Sequence, residues 1–478
     1  MDGTVNPNDP KIKARPYGGY YRRIEPKEAE DVTHSGPGTP LGEYMRGFWQ
    51  PVCLSDQLKD VPLAIRIMGE NLVAFRDKSG RVGVLHRHCC HRGASLEYGI
   101  IQDRGIRCCY HGMKIDMDGT ILDAPAETDR GARMRQVVTQ GAYPAFERDG
   151  LVFAYMGLPD EMPPHPNWDA FEKRGDTELV PFSNVFPCNW LQVLENICDQ
   201  MHTFALHNMP LLYDGNVPHP YNWQAFTLAN FAREIPVMDY LESRNGTAMT
   251  FIAGRRVDDE KVWMRIQDCI LPNMTEHAYL FEDGAERRIF HRVHMARWYV
   301  PVDNTNSIIF GWRMFGKEID PYQKGRKDRL GWDDMDFLEG QVGNRSYEEA
   351  QRLPGDWEAI SSQRPIAIHA LENPVSSDVG VFLFRKFLRN AVHGRNPAAL
   401  PMAMHARVKA GRMDYCYTQN DVLRIPKRPN RDEDRDLVKR IGRRIVAITA
   451  EANDLEPEAR SAFIVARIEE LERMAPTI

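Results

Sequence analysis

Residues 86–112, HRHCCHRGASLEYGIIQDRGIRCCYHG, concentrate side chains that bind soft metals. Four cysteines and four histidines lie in this stretch of twenty-seven residues, although the chain of 478 residues has only nine cysteines in all. One pairing among them has regular spacing. Cys89 and His91 form a Cys-x-His step, and after sixteen further residues Cys108 and His111 form a Cys-x-x-His step. The pattern predicts two short loops that each offer one thiolate and one imidazole.

This donor set has a known use. Glycines follow both histidines, at Gly93 and Gly112, where a ligand loop must bring its backbone close to the bound atoms. Two cysteines on one iron and two histidines on the other are the ligands of a Rieske [2Fe-2S] centre. Its neutral imidazoles raise the reduction potential above that of an all-cysteine cluster. The sequence therefore predicts that the four paired residues hold a Rieske cluster.

Two other interpretations of this stretch are weaker. A structural zinc site usually pairs Cys-x(2–4)-Cys with His-x(3–5)-His, so the alternating order found here is unusual for zinc. The extra cysteines of high-potential respiratory Rieske proteins form a disulfide, but their positions hold Ala94 and Tyr110 in this chain. A disulfide between Cys90 and Cys109 therefore fits poorly, and a cluster of lower potential is expected.

Three stretches resemble the N-terminal half of Rieske non-haem iron oxygenases, in particular the oxygenase (alpha) component of the phthalate-dioxygenase-like, homo-oligomeric branch. They are SGPGTPLGEYMRGFWQPVCLS at 35–55, CCHRGASLEYG at 89–99 and CCYHGMKID at 108–116. One departure is Met113, where the family commonly has tryptophan, and this departure affects local packing because the residue is not a ligand. The resemblance implies an α+β fold, with an all-β Rieske domain ahead of a catalytic domain that has a central antiparallel β-sheet flanked by helices.

The stretch ENICDQMHTFALHNMP holds a second group of metal-ligand side chains. Its polar residues resemble the mononuclear iron motif of the same family: Asn196, Asp199, His202 and His207. At about 100° per residue, Asp199 and His202 lie on one helical face, whereas His207 lies about 140° further round. The two histidines can share one Fe(II) only if the helix ends or distorts, and Asn208 and Pro210 favour such a stop.

A redox iron site with two histidines also needs a carboxylate, so that one face stays open to O2 and substrate. The resemblance implies Asp356 in RLPGDWEAISSQRPIAIHALENP, because the family places its third ligand at the start of a helix at this point. Propensity alone favours another role, since an aspartate after Pro-Gly and before an apolar run is a good helix N-cap. Glu358 and Glu372 are the alternative ligands.

The resemblance also implies how electrons reach the iron. Asp199 would not bind the metal; it would join His202 by hydrogen bonds to the Rieske ligand His111 of the partner subunit. Such a path requires an oligomer, and a head-to-tail homotrimer closes the ring. A dimer of trimers would preserve the same path. Asn196 would lie beside the iron without necessarily binding it.

Composition narrows the classes of protein that remain. Hydrophobic residues make up 42% of the chain and charged residues 27%, as in ordinary soluble globular proteins. The net charge of -6 lacks the basic excess that binding to nucleic acid requires. The longest apolar stretch, VGVFLF, is too short to cross a membrane, and the N-terminus has no apolar signal segment. With five cysteines scattered singly, a cytoplasmic location is expected.

The remaining sequence is expected to position these sites. Hairpins around Ser79-Gly80 and Asp118-Gly119 should carry the two cluster loops. We expect four divisions of the chain: an N-terminal extension over 1–45, the Rieske domain over 46–158, the catalytic domain over 159–400 and a helical tail over 401–478. The β-rich runs suited to the catalytic sheet are TAMTFIAGRRV, KVWMRIQDCILPN, HRVHMARWYVPV and NSIIFGWRMFG.

Two further segments carry expectations about the surface. Residues 318–347 are charged and loop-like, and could cover the pocket of the catalytic domain. The tail has apolar residues at helical spacing, which predicts a pair of surface or subunit-contact helices. Its basic residues Arg440, Arg443 and Arg444 could dock an acidic electron donor, although a solvated face is the simpler interpretation.

A Rieske centre beside a mononuclear iron site predicts a terminal oxygenase that hydroxylates an aromatic ring, and the resemblance suggests a carboxylated ring. The chain has no phosphate-binding glycine loop, so electrons from NAD(P)H are expected to come from a separate reductase, directly or through a ferredoxin. Demethylation of aryl ethers and cleavage of diaryl ethers are alternatives within the family. The alternative from another class is a non-catalytic Rieske electron carrier.

Overall fold

The structure, a computed structural model, describes residues 16–17, 26–129, 131–207, 235–278, 286–321, 323–336 and 340–475. Its strands are β1 (Trp49–Leu54), β2 (Leu63–Ile67), β3 (Glu70–Arg76), β4 (Val82–His86), β5 (Ile100–Ile101), β6 (Ile106–Arg107), β7 (Lys114–Ile115), β8 (Ile121–Asp123), β9 (Ala142–Tyr143), β10 (Ala145–Arg148), β11 (Leu151–Tyr155), β12 (Glu178–Phe186), β13 (Val237–Ser243), β14 (Ala248–Arg256), β15 (Lys261–Ile270), β16 (Met274–Ala278), β17 (Arg288–Pro301), β18 (Ser307–Phe315) and β19 (Gln419–Arg424). Its helices are α1 (Glu30–Thr33), α2 (Pro40–Arg46), α3 (Trp190–Cys198), α4 (His202–Ala205), α5 (Tyr347–Arg352), α6 (Asp356–Ser361), α7 (Val379–Val392), α8 (Pro401–Met404), α9 (Ala406–Lys409), α10 (Arg431–Glu451) and α11 (Pro457–Met474).

Strands β1 to β11 form three small antiparallel sheets, in the orders β1-β11-β10, β2-β3-β4-β9 and β5-β6-β7-β8. Both predicted hairpins are confirmed. β3 pairs with β4 across a turn that contains Gly80, and β7 pairs with β8 across a turn that contains Gly119. These glycines have φ of 89° and 84°, in the left-handed region that glycine enters without strain. The hairpins hold the chain on either side of the two cluster loops.

A larger antiparallel sheet follows, in the order β12-β18-β17-β16-β15-β14-β13, with β19 paired to β15 and β17. The four predicted β-rich runs correspond to β14, β15, β17 and β18, which confirms them. Almost every residue of β14 and β15 is buried, because helices cover the sheet on both faces. Helix α3 packs against β17 on one face, and α10 packs against β14 on the other. The predicted α+β fold class is confirmed.

The tail differs from its prediction in one element. Residues 419–424 form β19, which pairs with two strands of the catalytic sheet, so the segment after residue 401 is not wholly helical. This strand carries Gln, Asn and Asp among its buried residues, and so lacks the apolar pattern that would have predicted it. The two predicted tail helices are present as α10 and α11, and Leu437, Ile441 and Ile445 of α10 pack with sheet residues.

The two parts of the chain share a hydrophobic core. The ring of Phe153, on β11, lies 5.6 Å from that of Trp298 and 5.9 Å from that of Trp312, both on the large sheet. Such packing fixes the β1-β11-β10 sheet against the catalytic sheet. Among the helices of the described residues, none is both long enough and apolar enough to span a membrane.

Candidate metal centres

The two cluster loops have the same backbone conformation. In the first ligand loop (residues 89–94) and the second ligand loop (residues 108–113), the cysteine N–H donates to the carbonyl five residues later. The loop glycine donates back to the cysteine carbonyl, and these bonds measure 2.8–3.1 Å. Gly93 and Gly112 both have φ of 74°, where a side chain would be strained. The sequence similarity of the loops is therefore also a similarity of shape.

The predicted cluster ligands lie together at the ends of these loops. Cys89 and Cys108 are buried, with 4% and 2% of their surface exposed. The rings of His91 and His111 are 4.6 Å apart between centroids, and His91 is exposed. Two buried thiols and two imidazoles nearer the surface fit the ligation of a Rieske cluster, in which the cysteines would hold one iron and the histidines the other.

The adjacent cysteines do not form the disulfide considered above. No disulfide joins any of the nine cysteines; Cys109 is exposed and Cys90 is half-buried. Met113, which replaces the family's tryptophan, is buried beside the cluster loops, and its Sδ lies 3.8 Å from Sγ of Cys90. A flexible thioether and a thiol thus occupy this space, which accounts for the tolerance of the replacement.

Helix α3 ends inside the iron motif, between Asn196 and Asp199. Asp199 follows the last residue of the helix, and its N–H donates to the carbonyl of Glu195 at 3.0 Å. Its carboxylate accepts a 3.0 Å hydrogen bond from the N–H of Met201, which turns the chain into α4. The expectation that Asp199 and His202 share a face of one helix is therefore wrong, because α3 ends before both residues.

This early break brings the two histidines together. A stop near Asn208 and Pro210 was the predicted cause, but both residues lie outside the described residues. The break at Asp199 starts a new short helix at His202, and the rings of His202 and His207 lie 5.4 Å apart between centroids. The two histidines can share a metal because the helix is interrupted, and this interruption lies upstream of the predicted position.

His202, His207 and Asp356 offer ligand atoms that all lie within 4.8 Å of one another. Nε2 of His202 is 3.3 Å from Oδ1 of Asp356, and Nε2 of His207 is 3.4 Å from Oδ2. Nδ1 of His202 faces the carbonyl oxygen of Asp199, which orients Nε2 towards the shared site. Two imidazoles and one carboxylate on one side of a metal are the donors of non-haem Fe(II) oxygenases.

The electrostatics of this group favour a charged carboxylate. Burial alone would raise the pKa of Asp356, but the charge of His207 and the hydrogen bonds of both histidines hold that pKa well below its usual value of 3.8. Burial would lower the pKa of His202, yet its hydrogen bond to Asp356 and the nearby negative charges raise it above 6.5. A buried anion beside two imidazoles is an attractive position for a cation.

Two amide side chains hold the carboxylate of Asp356. Asn196 donates to Oδ1 at 3.1 Å, and Gln341 donates to Oδ2. The carbonyl of Gln341 is in turn held by Asn184 on β12 at 2.5 Å. Gln341 belongs to the charged segment 318–347 and has no local sequence signal, so the sequence did not predict its role.

The alternative roles for this region are not those observed. Asp356 is the first residue of α6 and Gly355 is the N-cap, so the interpretation of Asp356 as an N-cap is wrong. The carboxylate of Glu358 contacts Arg345 and the N–H of Gly355. That of Glu372 accepts two hydrogen bonds from Arg385 at 2.6 and 2.8 Å.

An open cavity of about 480 Å³ reaches the outer side of this site. Asn196 on α3, His202 on α4 and Asp199 between the two helices line it, together with Glu372 and Phe382. Phe382 has 37% of its surface exposed. The iron site is thus accessible from the protein surface beside Asp199.

A buried polar network lies on the sheet face behind the site. Gln200 donates to Gln267 at 2.5 Å, and Gln267 contacts Nδ1 of His277 at 3.1 Å. Burial, together with the charges of Arg297 and Arg265, holds the pKa of His277 well below 6.5, so this imidazole is neutral at physiological pH. The face of the sheet next to the histidine ligands is therefore polar and basic.

A Rieske cluster site and a two-histidine, one-carboxylate site in one chain define the class of Rieske non-haem iron oxygenases. A family model described as Rieske [2Fe-2S] domain matches residues 48–140. The chain is 47% identical to the tert-butanol monooxygenase / tert-amyl alcohol desaturase oxygenase subunit of Aquincola tertiaricarbonis, over 95% of this chain and 96% of that one. It is 31% identical to the phenoxybenzoate dioxygenase subunit alpha of Ectopseudomonas oleovorans, over 86% of this chain and 97% of that one.

A solved structure shows the same fold. Dicamba monooxygenase bound to 3,6-dichlorosalicylic acid matches 73% of this chain and 98% of its own, with a TM-score of 0.53 and 16% identity. The chain belongs to the Rieske non-haem iron oxygenases, as an oxygenase component. It is an enzyme of the mono- or dioxygenase type, with a Rieske [2Fe-2S] cluster and a mononuclear iron as cofactors.

Proposed function

We propose that this chain is the terminal oxygenase of a system in which a separate NAD(P)H-dependent reductase, directly or through a ferredoxin, supplies electrons. The observation that supports this function best is that His202, His207 and Asp356 converge in a chain that also carries both cluster loops. When bound, the two metal centres supply single electrons and a site that activates O2 for insertion into an organic substrate.

Each side chain of the iron site has a distinct role in this proposal. His202, His207 and Asp356 hold the metal from one side, so that the other side stays open to O2 and substrate. Asp199 orients His202, because its carbonyl oxygen faces Nδ1 of that imidazole. Asn196 is a support for the carboxylate and not a ligand, since its amide donates to Oδ1 of Asp356.

The electron path is proposed to cross a subunit boundary. Asp199 and His202 lie at the open cavity, so a side chain of another protomer can reach them. Of the two Rieske imidazoles, His91 is exposed and His111 is partly exposed, so both can be offered to another chain. We infer that His111 of the partner subunit docks beside Asp199, which requires a homotrimer or a dimer of trimers.

Two substrate classes have support from different observations. The relative that is 47% identical over nearly the whole of both chains is named for tert-butanol and tert-amyl alcohol, which favours a compact tertiary alcohol.

An aromatic carboxylate is the second candidate, to be hydroxylated, demethylated or cleaved at an ether. Arg255, Arg265 and Arg297 are buried at 2%, 3% and 6% exposure, and Arg255 donates to Thr203 on α4 at 3.3 Å. A guanidinium that contacts the helix carrying His202 supports an anionic substrate. The relative named for phenoxybenzoate supports the same class.

Iron and acid-labile sulfide per chain, with an EPR spectrum of the reduced protein, test the proposal first. About three irons and two sulfides with a Rieske signal are expected. In His202→Ala the iron should fall to about two per chain with the Rieske signal retained. Wild-type protein with a full cluster that cannot take up a third iron would instead indicate a Rieske electron carrier.

Turnover distinguishes the substrates. With a surrogate reductase, NADH oxidation and product would be followed with tert-butanol, phenoxybenzoate or no substrate.

Asp199→Asn should keep both metal centres but slow reoxidation of the reduced cluster by roughly 10–100-fold. Normal reoxidation in Asp199→Asn would contradict the proposed electron path without affecting the iron ligands.

A further inference from the structure

The side chain of Gln140 lies against the segment that leads into the first ligand loop. It is buried, with 3% of the residue exposed. Its Oε1 accepts the N–H of Cys90 at 2.7 Å, and its Nε2 donates to the carbonyls of His86 at 2.7 Å and His88 at 3.0 Å. One amide group therefore binds three backbone groups on either side of the first cluster cysteine.

The backbone of Gln140 is joined to the other half of the cluster site. Its N–H donates to the carbonyl of Gly119 at 2.9 Å, in the turn of the β7–β8 hairpin that follows the second ligand loop. The approach is close, because a Cβ on Gly119 would lie 2.0 Å from the carbonyl oxygen of Gln140. Gln140 thus connects the first ligand loop to the hairpin that carries the second.

The hydrogen bond from the N–H of Cys90 to Gln140 also fixes the direction of that N–H. Cys90 lies between the predicted ligands Cys89 and His91, so its N–H belongs to the backbone that surrounds the cluster site. Hydrogen bonds to cluster sulfurs are among the factors that set the reduction potential. While Oε1 of Gln140 accepts this N–H, the bond is not available to a sulfur atom of the cluster.

We propose that Gln140 is a positioning residue for the Rieske cluster: it fixes the two ligand loops relative to each other and keeps the Cys90 N–H away from the cluster sulfurs. It touches no ligand side chain and acts through the backbone of the first ligand loop. The effect concerns retention and reduction potential of the cluster, and it does not depend on the substrate or on the proposed subunit contact.

Two variants separate the parts of this role. Gln140→Met has a similar volume and removes all three side-chain hydrogen bonds, so the Cys90 N–H can turn to the cluster. Its midpoint potential should rise, and a chelator should remove cluster iron about ten-fold faster or more. Gln140→Glu keeps an oxygen that can accept the N–H of Cys90, but it places a carboxylate against the carbonyl oxygens of His86 and His88. Its cluster should also be released faster, while the added negative charge lowers the potential.

Gln50→Met is the matched control. Gln50 is fully buried and accepts a 2.8 Å hydrogen bond from Asn273, away from both ligand loops. Potentiometric titration and EPR of the reduced cluster would be recorded for all variants. Shifts of opposite sign in the two Gln140 variants, with the control unchanged, support the proposal. If Gln140→Met does not accumulate with cluster, Gln140→Glu decides the question. Potentials, spectra and release rates equal to those of the control would overturn it.

Discussion

Asn196 and Gln341 hold the two oxygens of the Asp356 carboxylate, Asn196 through a 3.1 Å hydrogen bond to Oδ1 and Gln341 through one to Oδ2. Each oxygen also faces one imidazole, that of His202 or that of His207. The orientation of the carboxylate is therefore fixed by protein groups from both sides. Positions of this kind, outside the ligands themselves, tune metal affinity strongly.

Replacing Gln341 with leucine should weaken the iron site and leave the cluster intact. The loss of a donor to Oδ2 frees the carboxylate to rotate, so Fe(II) affinity should fall by about 10–100-fold. A competition titration with a chromogenic chelator measures this affinity, and labile sulfide reports on the cluster. Gln363→Leu, at an exposed position on the same cavity, is the control. Equal Fe(II) affinity in both variants would refute the role of Gln341.

Iron binding should depend on pH through His202. The pKa of this imidazole is raised above 6.5, since the hydrogen bond to Asp356 and nearby negative charge outweigh burial. A histidine ligand must be neutral, so protons compete with Fe(II) at any pH below the raised pKa. Fe(II) affinity should therefore increase as pH rises towards this raised pKa, then level off above it. Chelator competition at several pH values tests this, and a flat profile would contradict it.

Glu276 should make the folded protein less stable in alkali. Burial, followed by the charge of Asp268, raises the pKa of Glu276 from 4.5 to about 8. Between these two pKa values the folded state binds the Glu276 proton more tightly than the unfolded state does. The stabilisation that this proton gives the fold is complete below pH 4.5 and is lost as pH rises through about 8. Glu276→Gln should match the wild type in acid and gain up to about 5 kcal/mol above pH 8. Thermal unfolding midpoints across this range provide the measurement, and parallel curves would exclude the effect.

Arg385 neutralises a buried acid beside the iron motif. It donates to both oxygens of Glu195, at 2.5 and 2.6 Å, and also to Glu372. Burial raises the pKa of Glu195, because the charged carboxylate is less stable at this position than in water. Arg385→Met should destabilise the fold by about 3–5 kcal/mol, because it leaves one partner of a buried pair behind. Adding Glu195→Gln to Arg385→Met should restore part of the lost free energy of unfolding, measured by denaturant unfolding. If the effects of the two substitutions were additive, the two residues would not be coupled.

The sequence predicted best what is encoded within short stretches. The cluster ligands follow from their spacing, because each pair lies in one tight loop, and the β3–β4 and β7–β8 hairpins follow from their turn residues. The large sheet was predicted from four apolar runs. β19 was not, since its polar residues are buried by contacts with strands far away in sequence.

The iron site was predicted only in part. The position of the helix break depends on hydrogen bonds made by Asp199, which compete locally with helix propagation and are not visible in periodicity. Propensity favoured an N-cap role for Asp356, and only the resemblance indicated a ligand. Gln140 and Gln341 act through tertiary contacts with distant backbone or side-chain atoms, and no local pattern distinguishes them from other glutamines.

The separation of Asn196 from Asp356 by 160 residues has a consequence for biogenesis. All four cluster ligands lie between residues 89 and 111, in the part of the chain that leaves the ribosome first. The iron site is complete only after the intervening strands have paired and brought Asp356 to the histidines, because non-local contacts form late. We therefore expect the two cofactors to enter in order during synthesis, with the mononuclear iron acquired last.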